Sequence, residues 1–133
     1  PDAPAAPVPR GGSGWTPVCA LSDLPPEQGR AALLPDGTAV ALFRRYDGTL
    51  HALGNLDPVH GAPVMCHGIV GDRGGVPVVT SPLGKEAFAL ETGRCLDGPE
   101  EARLPVHAVR ITEGDVIEVS PAGNAAETRV GSP

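Results

Sequence analysis

The chain has 133 residues, ten basic against sixteen acidic side chains and a net charge of -6, so it is sized for one domain. Gly (18) and Pro (16) are abundant and aromatics are 3%, which works against long helices and leaves a core of Val, Leu, Ile and Ala. The acidic balance offers no attraction to phosphate backbones or anionic lipid, and no apolar run approaches the ~20 residues of a membrane helix, so nucleic-acid and membrane roles are set aside.

In chain order, residues 1–14 are Pro-, Ala- and Gly-rich without a hydrophobic period, and read as a disordered arm. They lack the basic and apolar blocks of a secretory signal. A folded unit is expected over 15–120, and residues 121–133 read as a disordered tail. Within the unit, apolar runs alternate with turn signals every eight to twelve residues, the rhythm of an all-β domain. Strands are predicted at Trp15–Leu21, Arg30–Leu34, Thr38–Arg44 and Thr49–Leu53. Pro35-Asp36-Gly37 and Tyr46-Asp47-Gly48 turn the chain between them, since Asp-Gly tolerates the positive φ of tight turns. Val76–Thr80 is β-branched and reads as a central strand covered on both sides. Phe88–Leu90 follows, then a hairpin of Pro105–Ile111 and Asp115–Val119. One helical turn is expected near Ser22–Gln28, capped by Ser22-Asp23 and cut short by Pro25-Pro26. The pattern predicts an antiparallel β-sandwich or small barrel.

Three cysteines, Cys19, Cys66 and Cys95, cannot all pair within one chain, and their low density suits reduced thiols in a cytoplasm. Cys19 and Cys95 sit among apolar residues and read as small core residues, whereas Cys66 is the candidate for an exposed thiol. His51 and His107 alternate with apolar neighbours, which places them outward or at the core edge.

Two irregular stretches are the candidates for function: 54–68, which holds Asn55-Leu56-Asp57-Pro58, His60 and Cys66-His67, and 81–85, Ser81-Pro82-Leu83-Gly84-Lys85. A zinc site at His60, Cys66 and His67 lacks any Cys-x-x-Cys or His-x-x-x-His spacing. A Ser81–His60–Asp57 triad lacks the Gly-x-Ser-x-Gly turn.

Ser81-Pro82-Leu83-Gly84, with Phe88, Leu90, Thr92 and Gly93 in step behind it, resembles the second loop of Rieske domains. In that family a Cys-x-His loop and a Cys-Pro-x-His loop hold a 2Fe–2S cluster through two thiolates and two imidazoles. Here Ser81 and Gly84 stand at the second pair of ligand positions. The first pair falls on Asp57 and Val59 in one register, or on Pro58 and His60 in the other. Asn55-Leu56-Asp57-Pro58 and Ser81-Pro82-Leu83, together with the missing ligands, resemble the small subunit of the assimilatory NAD(P)H-dependent nitrite reductase. That resemblance implies a Rieske-like fold with two loops at one tip and no catalytic residue, metal or cofactor of its own. It also implies a large cytoplasmic partner carrying siroheme, FAD, an iron–sulfur cluster and the NAD(P)H site, which reduces nitrite to ammonium. The alternative is a Rieske-type ferredoxin that transfers electrons itself. On the main reading, Asn55, Asp57, Pro58 and His60 on one loop and Ser81, Pro82, Leu83 and Lys85 on the other are the expected partner contacts.

Overall fold

A computed structural model describes residues 15–99 and 101–120; the expected arm (1–14) and tail (121–133) lie outside the described residues. Ten strands follow in order: β1 (Thr16–Ala20), β2 (Gly29–Leu33), β3 (Ala39–Arg44), β4 (Leu50–Gly54), β5 (Ile69–Arg73), β6 (Val76–Thr80), β7 (Ala87–Ala89), β8 (Val106–His107), β9 (Val109–Ile111) and β10 (Val116–Val119). They form three antiparallel sheets ordered β1-β10-β9, β2-β3-β4-β8 and β5-β6-β7. The all-β expectation holds.

The four-stranded sheet is the middle layer. Side chains alternate across a strand, so Ala41, Phe43 and Leu53 face one core with Met65, Val79, Phe88 and Leu90. Val40, Leu42 and Ala52 face a second core with Leu24, Leu34, Ile117 and Val119. The strand covered on both sides is therefore β3, whose run Ala39-Val40-Ala41-Leu42-Phe43 is apolar at every position. β6 is central in its own sheet, but Val76 is exposed and Pro77 only half-buried, so the expected double covering is confined to Val78 and Val79.

Other departures have local causes. The helical turn is a 310 turn at Leu21–Asp23 that starts before Ser22, without a side-chain cap, and ends where Leu24 drops into the core. β5, which carries no apolar alternation, pairs with β6 through a turn in which Gly74 and Gly75 both take positive φ. The long strand expected at Pro105–Ile111 breaks at Ala108, because β8 pairs with β4 while β9 joins β10 in another sheet. His51 and His107 are buried rather than outward. Each stands on a β-strand face that packs inward, and His107 gains a 2.8 Å hydrogen bond from Nδ1 to the Ser120 carbonyl. All three cysteines are free; Cys95 is in the core, whereas Cys19 and Cys66 are half-buried.

Candidate functional site: a two-loop tip

β4 delivers the first loop (residues 55–68) and β6 the second (81–86) to the same end of the molecule. Asn55 pins the first loop at both ends. Its backbone N–H donates to Ala39 O (3.1 Å), its Nδ2 to Pro63 O (3.2 Å), and its Oδ1 accepts from Cys66 N (2.8 Å). A 310 turn at Met65–His67 then buries Met65 and returns the chain to β5.

Asp57 organises the bend between these anchors. Its Oδ1 accepts from the amides of Val59 (2.8 Å) and His60 (3.0 Å), the Asx arrangement that an Asp before Pro favours. Its Oδ2 accepts from the Ser81 hydroxyl at 2.5 Å, a bond between two side chains with no exposed surface. Ser81 Oγ accepts in turn from Leu83 N (3.2 Å), and the Ser81 carbonyl from Lys85 N (3.1 Å). Burial pushes the Asp57 carboxyl up, but the Ser81 hydroxyl and the His60 and Val59 amides outweigh it, so it sits below the usual range and stays ionised. Above the bend, His60 Nε2 lies 3.3 Å from Glu86 Oε1. That pair fills the space beside Gly84, where an added Cβ would fall 2.1 Å from the imidazole and 2.3 Å from the carboxylate.

The eight expected contacts divide. Asn55, Asp57 and Ser81 are interior and set the loop shapes, whereas Pro58, His60, Pro82, Leu83 and Lys85 are exposed. Leu83 is 51% exposed, an apolar side chain at the tip. Glu86 escapes sequence reading, because its role depends on His60, 26 residues away. His67 is exposed, and among the described residues no three His, Cys, Asp or Glu side chains stand together as metal ligands. Nor is there a triad: Ser81 donates directly to Asp57, and His60 pairs with Glu86.

The tip does not fit a 2Fe–2S cluster. Neither register of the first loop holds as a whole: Asp57, not Pro58, faces Ser81, yet His60, not Val59, approaches Gly84, while Val59 packs against the core. The two positions that should carry thiolates are oxygens in direct contact with each other. Where the second imidazole should be, Gly84 offers no donor, and its space is taken by the His60–Glu86 pair.

The chain matches the model of the Rieske-like [2Fe-2S] domain over residues 14–120. It is 34% identical over 105 residues to the nitrite reductase (NADH) small subunit of Escherichia coli K12, covering 78% of this chain and 95% of that one. It is 38% identical over 102 residues to part of the nitrite reductase [NAD(P)H] large subunit of Klebsiella oxytoca, spanning 77% of this chain but only 10% of that protein. A crystal structure described as an NADH-dependent nitrite reductase small subunit from Mycobacterium tuberculosis superposes with a TM-score of 0.76 at 51% identity, covering 79% of this chain and 92% of that one. The chain belongs to the Rieske-like domain family and, within it, to the nitrite reductase small subunits.

Proposed function

We propose that this chain serves as the small subunit of a cytoplasmic NAD(P)H-dependent nitrite reductase, binding the large subunit that reduces nitrite to ammonium. The observation that carries this reading is the Klebsiella relative, in which a domain 38% identical to this one is part of the large chain itself. Two polypeptides in one lineage and a single fused polypeptide in another are a natural pair when the domains work in contact. Siroheme, FAD, the iron–sulfur cluster and the NAD(P)H site then belong to the large subunit. This chain carries no cluster and no catalytic group, because its tip holds Asp57, Ser81 and Gly84 where ligands would be needed.

Its role is structural or regulatory. The Asp57–Ser81 bond and the Asn55 anchors hold two loops in fixed relation and present Pro58, His60, Pro82, Leu83 and Lys85 outward. Such a surface binds with little ordering cost, and Leu83 supplies the apolar anchor around which interface energy concentrates. The ferredoxin alternative is disfavoured by the same donor set.

Co-expression with the large subunit tests the reading. Leu83→Asp should leave the fold intact by circular dichroism yet weaken co-purification at least tenfold, since removing an interface anchor costs ~2 kcal/mol. Unchanged complex formation and unchanged nitrite-dependent NAD(P)H oxidation in both Leu83→Asp and His60→Ala would place the contact elsewhere. Iron and acid-labile sulfide should be absent from the purified chain; two irons per chain would restore the ferredoxin reading.

A further inference from the structure

Behind the first loop lies a groove of about 370 Å³, bounded by the start of β3, the end of β4 and the segment leading into β8. Its walls are fixed by backbone. Gly54 N donates to Pro105 O at 2.9 Å, and a Cβ at Gly54 would strike the Pro105 ring at 2.8 Å. Ala39, Leu56, Pro58 and Pro63 make the lining mainly apolar. Leu56 is 56% exposed at the rim, and Asn55 already uses its side-chain amide on Pro63 and Cys66.

Arg103 is the groove's charged wall, while Asp36 stands at its edge beside Thr38. No carboxylate lines the groove itself. Arg45, Arg73 and Arg110 each pair with a carboxylate, and Arg30 and Arg44 donate to backbone carbonyls, whereas Arg103 makes no ion pair among the described residues. Neither does Arg94, which an isolated antiparallel bridge places beside it. On a chain of net charge -6, Arg103 sets a positive charge without a carboxylate partner against apolar walls, with Arg94 on the neighbouring segment. Such a site attracts and orients a carboxylate.

We propose that this groove receives an extended segment of the large subunit in which a carboxylate side chain neighbours apolar ones. The carboxylate meets Arg103, and the apolar side chains lie against Leu56, Pro58 and Pro63. The proposal rests on the partner reading above and extends the contact from the exposed tip residues round to the flank of the first loop. Arginine suits the role because its planar fork can hold a carboxylate through two parallel hydrogen bonds, which also fixes the segment's direction.

The test measures the affinity of the full chain for the large subunit across a salt series. Four variants at exposed positions are compared: Arg103→Glu, Arg103→Lys, Leu56→Glu and, in the turn after β3, Tyr46→Asp. At low salt Arg103→Glu and Leu56→Glu should each bind at least tenfold more weakly. Arg103→Lys should lose less than fivefold, and Tyr46→Asp should match the unaltered chain. The deficit of Arg103→Glu should shrink as salt rises. Wild-type affinity in either glutamate variant, with Leu83→Asp still disruptive, would overturn the groove and leave the partner reading standing. An unaltered chain that fails to bind the large subunit would overturn both.

Discussion

The Ser81 hydroxyl donates to Asp57 Oδ2 at 2.5 Å, joining two loops whose contact residues are 24 positions apart in the chain. It ties the two loops side chain to side chain beneath the exposed tip, where both partners are fully buried. Ser81→Ala removes it and leaves a buried carboxylate oxygen without its donor. Urea unfolding should show a loss of about 1–3 kcal/mol, with faster amide exchange at Leu83, whose acceptor disappears. A loss below ~0.5 kcal/mol, typical of surface changes, would show that the loops are held by their backbone bonds alone.

Gly93 is confined by backbone on two sides. It has φ +79°, and a Cβ there would fall 2.0 Å from the Leu104 carbonyl oxygen, which is backbone and cannot swing aside. Its N–H donates to Ala89 O at 2.8 Å and its carbonyl accepts from Leu104 N at 2.9 Å, so the turn cannot move away. Gly93→Ala should therefore destabilise the domain by ~2 kcal/mol or more, read as a lowered denaturation midpoint. Gly37→Ala shares the positive φ but has open space around it, and should cost less.

Acid should weaken the fold through Asp97. Its carboxylate makes two bonds with Arg73 (2.7 and 2.8 Å) and accepts from Ala87 N (3.0 Å), and the Arg73 guanidinium above all brings its pKa down to about 2. Unfolded, the group returns to ~3.9, so between these values the unfolded chain binds more protons. The contribution is complete above pH ~4 and lost as pH falls through about 2. Urea midpoints from pH 6 down to pH 2 should fall more steeply for the unaltered chain than for Asp97→Asn, and the two curves should converge at the acid end. Parallel curves would exclude this carboxylate as a source of acid sensitivity.

A second window lies near neutrality. Burial, helped by the nearby Arg45 charge, lowers the pKa of His51, whose Nε2 has no hydrogen-bond partner among the described residues. The folded state therefore favours the neutral ring. Its contribution is whole above the unfolded value of ~6.5 and erodes below it. His51→Phe should flatten the decline in stability between pH 7.5 and 5.5, and an unchanged slope would point to other groups.

Local chemistry made some features legible in the sequence, and distance hid others. The Phe88-x-Leu90-x-Thr92-Gly93 run is readable because Gly93 needs positive φ and Thr92 Oγ1 accepts from Arg94 N two residues on, both short-range requirements. The hairpin at Asp47-Gly48 is readable for the same reason: Asp47 Oδ1 accepts from Thr49 N. β5 is obscured because Gly71 and Asp72 interrupt its apolar character and four of its five residues are exposed; only Gly74-Gly75 marks it. Asn55, Asp57 and Ser81 can be recognised as loop residues, but nothing beside them in sequence says that they face inward. Their burial depends on Pro63, Cys66 and one another. The groove at Arg103 has no sequence signature, since its walls come from β3, β4 and the approach to β8.

Because one sheet serves both cores, neighbours along β3 answer to different parts of the molecule: Leu42 to the side of β10, Phe43 to the side of β6 and β7. Neither core can open at β3 without stripping the other of its wall, so the two melt together as one cooperative unit. The tip grows from this seam, with Asn55 N bonded to Ala39 O at the start of β3. Its orientation is thereby referenced to the strand that both cores share. Exposed side chains such as Pro58 and Leu83 can be exchanged to suit a different partner while the mounting beneath them stays the same.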